Sequence, residues 1–252
     1  MMEKYSVWRE AEEIQYEGNE VGILISHGFT GTTQSMRPLA EAYARAGYTV
    51  YCPRLKGHGT APEDMEASTY EDWIESVDEA YHWLKERCTK IFVVGLSMGG
   101  TLALYIASQY KDIQGVIPIN AAINIPALAE AASSNERFLD AIGSDMKDPD
   151  QTEAAYDRTP VQSIKQIIPL MEMVSQRLDE IHCPIMIFVS DEDHVVPPNN
   201  SEIIFESVFS EHKEIIHLEN SYHVATLDYD QDLIIERSLE FFQMYTNTKN
   251  SL

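Results

Sequence analysis

Five residues, Gly95-Leu96-Ser97-Met98-Gly99, constrain this chain more than any other feature. They join an apolar run, Lys90–Leu96, that reads as a strand to a stretch, Met98–Gln109, that reads as a helix. A G-x-S-x-G pattern in that setting predicts a turn so tight that the serine's neighbours must be nearly free of side chain. Such a turn holds the serine hydroxyl clear of the sheet in a strained backbone conformation. The helix behind it aims free N–H groups and the positive end of its dipole at developing negative charge. Ser97 is therefore the candidate nucleophile, set against the plainer reading of a glycine-rich strand–helix turn.

The rest of the chain repeats this alternation. Val21–Ser26, Tyr48–Cys52, Gly115–Asn120, Pro184–Ser190 and Glu214–Leu218 read as short buried strands. Met36–Ala46, Tyr70–Arg87, Asn199–Val208 and Leu233–Thr246 read as helices, with Trp73, Ile74, Val77, Tyr81 and Leu84 forming one apolar stripe. Strands alternating with helices predict a mostly parallel, doubly wound sheet. One interval breaks the rhythm: Asn120 to Pro184 is several times the dozen or so residues that a crossover needs. It holds NIPALAEAA, RFLDAIGSDM and a helical stretch, Val161–Arg177. Residues 1–120 and 178–252 are thus expected to form the core, and 121–177 a cap over the carboxyl edge of the sheet. A plain surface excursion is the alternative.

Chain order then locates partners for Ser97. His27-Gly28-Phe29-Thr30-Gly31 follows the first long strand, where acyl transfer needs a second backbone donor for the oxyanion. Phe29 N–H and Met98 N–H are the candidate donors, and His27 is expected to shape the loop. Downstream, Ser190-Asp191-Glu192-Asp193-His194 follows a strand and offers two carboxylates. Asp193 is the preferred acid; Asp191 suits a turn residue bonded to its own backbone. Four histidines come later. His194 adjoins the acid, His212 sits in a charged run and His217 lies within a strand. His223, in a loop before the last helix, is the expected base, taking the Ser97 proton while Asp193 fixes its tautomer. Pro53–Gly59 (PRLKGHG) reads as a structural turn.

Composition narrows the partners. The net charge of −23 repels nucleic acid and anionic lipid surfaces and favours a neutral substrate. No apolar run reaches the ~18 residues of a membrane span, and the acidic N-terminal stretch is unlike a secretory signal. Three widely spaced cysteines, Cys52, Cys88 and Cys183, suit free thiols in a reducing, cytoplasmic compartment. The sequence offers no metal cluster and no phosphate loop; GLSMGG lacks dinucleotide-binding spacing, so no metal or other cofactor is expected.

Several stretches, HGFTGTTQSMRPLAEAYARAGYTV, PRLKGHGT, GLSMGGTLALY, IGSDMKDPD, FVSDEDHVVPP and SYHVATLDYDQ among them, resemble bacterial monoacylglycerol lipases and related thermostable carboxylesterases. The resemblance runs nearly end to end. It implies the α/β-hydrolase fold, a Ser97–Asp193–His223 triad, oxyanion donors Phe29 and Met98, and hydrolysis of a monoacylglycerol or similar ester through an acyl-enzyme. It further implies a mobile cap in which Ile142 lines an acyl tunnel and Glu153 lies near glycerol hydroxyls. Without it, Glu153 would read as a solvated helix residue. Dehalogenases and epoxide hydrolases of this fold carry aspartate where Ser97 stands, which argues against both. A ligand receptor that retains the triad is the competing class.

Overall fold

The apolar runs pair side by side. The computed structural model describes residues 3–141 and 143–247. In chain order its elements begin with β1 (Ile14–Tyr16), β2 (Val21–Ser26), α1 (Arg37–Arg45), β3 (Thr49–Cys52), α2 (Pro62–Glu66) and α3 (Tyr70–Lys85). Next come β4 (Lys90–Leu96), α4 (Met98–Gln109), β5 (Ile113–Ile119), α5 (Ala127–Ala132), β6 (Phe138–Asp140) and β7 (Arg158–Pro160). The chain then forms α6 (Val161–Ser175), β8 (Ile185–Ser190), α7 (Asn199–Ser207), β9 (Lys213–Leu218) and α8 (Gln231–Asn247).

Seven strands form one sheet in the order β1-β3-β2-β4-β5-β8-β9. Every pairing is parallel except β1 with β3. β2 and β8 are buried at every position, as strands covered on both faces must be. One face packs a cluster that includes Leu39 and Tyr43 of α1 with Phe241 and Phe242 of α8. The other packs α3, α4 and α7 through Trp73, Val77, Leu102, Ile106 and Ile204. This is the doubly wound sheet expected from the alternation.

Some elements differ from the sequence reading. The edge strand β1 and the β6–β7 pair are three residues long, too short to show a period. The Met36–Ala46 helix opens instead with a 3-10 turn at Thr33–Met36, capped by the Thr32 side chain, and α1 follows from Arg37. The α3 start is set by a capping box in which Thr69 and Asp72 exchange hydrogen bonds.

Between β5 and β8 lie α5, the antiparallel β6–β7 pair and α6. α6 buries Ile167, Leu170, Met171 and Val174 in the same cluster as α3 and α4. The β6–β7 pair is tied to α2 by Arg137–Glu66 and Arg158–Glu63 ion pairs, each 2.6 Å. Both guanidinium groups also lie over the Phe138 ring, at 4.8 and 4.4 Å.

Trp73 links this packing to the loop after β2. Its ring is fully buried, its indole N–H donates to Ser68 Oγ at 3.0 Å, and its edge meets Phe29 at 5.8 Å. Trp73→Ala is expected to lower the unfolding free energy by about 3–5 kcal/mol, the cost of a large core cavity. Urea denaturation with an unchanged midpoint would remove Trp73 from the load of the core.

Candidate active site

Ser97 sits at the β4–α4 turn with φ 57° and ψ −121°, a conformation non-glycine residues rarely take. Holding it costs about 1–3 kcal/mol. The surroundings leave no alternative. A Cβ at Gly95 would fall 2.0 Å from the Gly99 carbonyl oxygen, and one at Gly99 would fall 2.2 Å from the Ser26 carbonyl oxygen. Ser97 N–H donates to Ile119 O at 2.9 Å, while Thr101 and Ala122 donate back to the Ser97 carbonyl at 3.1 and 3.3 Å. The turn is locked from both sides.

The loop after β2 lies against this turn. A Cβ at Gly28 would come 3.3 Å from the Ser97 Cβ. Phe29 N–H and Met98 N–H, the two expected oxyanion donors, have no hydrogen-bond acceptor among the described residues. His27 behaves as expected of a loop-shaping residue. Its Nε2 accepts from Leu55 N–H at 3.1 Å, so Nδ1 carries the proton and donates to Gly28 O at 3.0 Å. Burial pushes its imidazole down to about 3, so it stays neutral. The PRLKGHG loop is thus a brace: Leu55 holds His27, and Gly57 O accepts from the Tyr156 hydroxyl at 2.7 Å.

Asp193 and His223 come from the loops after β8 and β9. His223 Nδ1 lies 2.7 Å from Asp193 Oδ2, and the two side chains are only 8% and 2% exposed. Asp193 Oδ1 accepts the N–H groups of Val195 and Val196, both at 2.8 Å, which fixes the carboxylate plane. The two other candidates, Asp191 and His217, pair with each other on the exposed surface, Oδ1 to Nδ1 2.6 Å. His194 turns to Asp145, and His212 packs near Tyr245.

Sequence reasoning missed Asn120. At the end of β5, with φ 44°, its Nδ2 donates to Ser190 Oγ and to the His223 carbonyl, both at 2.9 Å. Its Oδ1 accepts the Ser190 N–H at 2.8 Å. An asparagine directly after a buried strand is the one available signal, since Asn tolerates positive φ.

Glu153 lies in coil, not in a helix, and its Oε1 sits 2.8 Å from where a Gly31 Cβ would be. The carboxylate therefore touches the loop that carries Phe29. The Gln34 amide pins it there, donating to Thr152 O at 3.0 Å and accepting Ala154 N–H at 2.9 Å. Tyr156 N–H adds a bond to Thr30 O at 3.1 Å. Burial raises the Glu153 carboxyl to about 7, and the nearby His223 opposes the rise. It makes no side-chain hydrogen bond among the described residues. Ile142 lies outside the described residues.

A parallel sheet with a serine turn after its central strand, and a buried Asp–His pair from later loops, defines an α/β hydrolase of the serine type. The chain belongs to the family described as serine aminopeptidase, S33, which matches residues 19–230. It is 60% identical to a thermostable monoacylglycerol lipase of Bacillus sp. (strain H-257), over 96% of this chain and 98% of that one. It is 29% identical to a carboxylesterase of Bacillus subtilis (strain 168), over 90% and 94% of the two chains. Among solved structures, one from work on the metagenome-derived lipolytic enzymes LipS and LipT superposes with a TM-score of 0.93 at 48% identity, covering 95% of this chain and all of that one.

The raised Glu153 carboxyl ties this site to stability. The unfolded chain titrates it near its ordinary 4.5, the folded chain at about 7. Between those values the folded state holds the extra proton, so stability falls as pH rises and the full cost is present above the folded value. Glu153→Gln is expected to raise the unfolding free energy at pH 8 by about 1–2 kcal/mol, discounted for the part of the residue that solvent reaches, and to change little near pH 4. Thermal melts across that range check it; equal shifts at both ends would refute the titration.

Proposed function

We propose that this chain hydrolyses monoacylglycerols to glycerol and fatty acid, with Ser97 as nucleophile, His223 as base and Asp193 as its orienting acid. The observations that carry the mechanism are the buried 2.7 Å His223–Asp193 bond and a serine held in a strained turn. The similarity to a monoacylglycerol lipase over nearly the whole chain supports the substrate.

His223 Nε2 removes the Ser97 proton as Oγ attacks the ester carbonyl. The new negative charge on the carbonyl oxygen is met by the N–H groups of Phe29 and Met98, each worth about 2.7–4 kcal/mol at the transition state. The imidazolium, stabilised by Asp193, returns its proton to the departing glycerol oxygen and leaves an acyl-serine. Water, deprotonated by His223, attacks that ester; fatty acid leaves and Ser97 recovers its proton.

Residues 121–177 roof the site in this reading, with Ile125, Leu128, Phe138 and Leu139 supplying apolar surface for the acyl chain. Glu153 faces the alcohol side and accepts hydrogen bonds from free glycerol hydroxyls. A second reading, a carboxylesterase of short- to medium-chain esters, is favoured by the similarity to the Bacillus subtilis carboxylesterase. No helix among the described residues is long and apolar enough to cross a membrane. Three free cysteines, two of them buried, support a reducing cytoplasmic setting.

Ser97→Ala is expected to lower kcat by about 10⁴ or more with the fold intact, and His223→Ala by nearly as much. The double variant is expected to be no worse than Ser97→Ala, because the residues act as a unit. Ordinary turnover by folded Ser97→Ala protein would sink the assignment. A serine-directed organophosphonate should label Ser97 alone, as mass spectrometry of the digested adduct would report.

Substrate size is tested separately. kcat/KM is expected to rise several-fold per pair of added acyl carbons until the tunnel ends, at about 0.8 kcal/mol per buried methylene. Monoacylglycerols should be preferred over triacylglycerols by at least roughly tenfold, since a lost charged hydrogen bond costs about 1.5–3 kcal/mol. Glu153→Ala should impair monoacylglycerol hydrolysis more than that of a simple alkyl ester of equal chain length. Equal losses on both would take Glu153 out of the alcohol site, and efficient triacylglycerol hydrolysis would favour a general lipase.

A further inference from the structure

His223 is held at both ends of its backbone. Its carbonyl accepts from Asn120 Nδ2 at 2.9 Å, and its N–H donates to Asp145 Oδ2 at 3.2 Å. The same oxygen accepts the N–H of His194, the residue after Asp193, at 3.1 Å. The other carboxylate oxygen, Oδ1, lies 2.8 Å from His194 Nδ1. The Asp145 carbonyl takes the Val224 N–H at 3.0 Å. One carboxylate, 11% exposed, therefore grips the loop of the acid and the backbone of the base together. Asp145 belongs to neither loop; it lies in the stretch between β5 and β8. The grip is returned one turn away, where Asp228 of the base loop accepts the N–H groups of Lys147 and Asp148 at 2.7 and 3.1 Å.

We propose that Asp145 is a positioning residue: its carboxylate sets the separation of the loops bearing Asp193 and His223, and with it the line along which the imidazole meets Ser97. The inference rests on the Ser97–His223–Asp193 reading above. The physical need is specific. Beyond the ends of β8 and β9 no strand ladder fixes one loop against the other. Asp193 is locked only within its own loop, by Val195 and Val196 N–H. Asn120 and the Ser190 hydroxyl, which donates to Tyr222 O at 2.8 Å, tie the base loop to the end of β8 itself and not to the loop that carries Asp193. Asp145 joins the backbone beside Asp193 to the backbone of His223 directly, and a misplacement of about 1 Å at such a site costs on the order of a hundredfold in rate.

Both backbone N–H groups converge on one oxygen, and this makes the proposal testable by conservative substitution. Asp145→Asn can present its amide oxygen where Oδ2 stands, keeping both bonds, while its NH₂ faces His194 Nδ1 as donor to a neutral ring. Asp145→Ala loses all three. The experiment compares kcat and KM on an ester for wild type, Asp145→Ala and Asp145→Asn, well below their melting temperatures, with active sites counted by organophosphonate titration. The low-field proton resonance of His223 Nδ1–H is recorded alongside.

For Asp145→Ala we expect kcat per active site to fall roughly ten- to a hundredfold, with KM changed less than about threefold. Phosphonate inactivation should slow in proportion, and the low-field resonance should weaken. Asp145→Asn should return kcat to within about fivefold of wild type and restore the resonance. Unchanged kcat per titrated site in Asp145→Ala, with only the melting temperature lowered, would make the residue merely structural. Should Asp145→Ala not fold, the asparagine variant decides alone: folded protein with kcat reduced tenfold or more would overturn the proposal. Wild-type protein inert to both ester and phosphonate would instead remove the triad reading on which it rests.

Discussion

The contact on which the rest depends is the packing of α4 against the backbone of its neighbours. Gly99 lies so close to the Ser26 carbonyl that any side chain there would overlap it, and Gly95 meets the first turn of α4 just as closely. That approach draws three things into one volume: the start of α4, the end of β2 and the turn between β4 and α4. Ser97 is then strained because it bridges a strand and a helix that have been brought nearer than a side chain allows. The loop after β2 has no freedom to sit elsewhere, since Gly28 packs directly on Ser97. Two N–H groups from different elements, Phe29 and Met98, have no acceptor among the described residues. A transition-state oxyanion needs donors that do not have to reorganise, which is the role proposed above for these two groups.

How far this was legible in the sequence depends on the kind of signal each residue leaves. Strands β2 and β8 are buried throughout and apolar up to a terminal serine because helices cover both faces, so they read plainly. The serine turn read plainly because its steric demand is met by glycine alone. The Asp–His pair preferred from order along the chain, Asp193 and His223, is the buried one, and Asp191 and His217 satisfy each other at the surface. The three-residue strands β1, β6 and β7 were illegible, being shorter than one readable period. Asn120, Gln34 and Asp145 were illegible for another reason. Each acts through hydrogen bonds to backbone groups of residues distant in sequence, and backbone groups carry no residue identity for a pattern to register.

The same distinction separates the two acidic residues contributed by the stretch between β5 and β8. Asp145 is fully engaged: three donors surround its carboxylate, so its charge is met where it stands. Glu153 is pinned by its backbone neighbours, through Gln34, yet its own carboxylate has no donor among the described residues and titrates near 7. A group of that kind costs stability at neutral pH. Folding alone would favour glutamine or an apolar residue there, so its cost is understandable if the missing donors arrive with a ligand that carries hydroxyl groups.

Strain and desolvation are thus concentrated at one edge of the sheet. Ser97 and Asn120 adopt positive φ there, His27 is buried neutral, and Glu153 is desolvated. The two positive-φ conformations would not persist in an isolated loop, because each costs about 1–3 kcal/mol and a short loop has little to set against it. What holds them is the pair of apolar clusters on the two faces of the sheet, which meet the ends of β4, β5 and β8 from both sides. The strained residues lie at the ends of those strands, so releasing any one of them would require moving a strand that is buried on both faces. The chain can therefore keep Ser97 and Asn120 in conformations that are locally unfavourable, because the interior makes the relaxed alternatives worse.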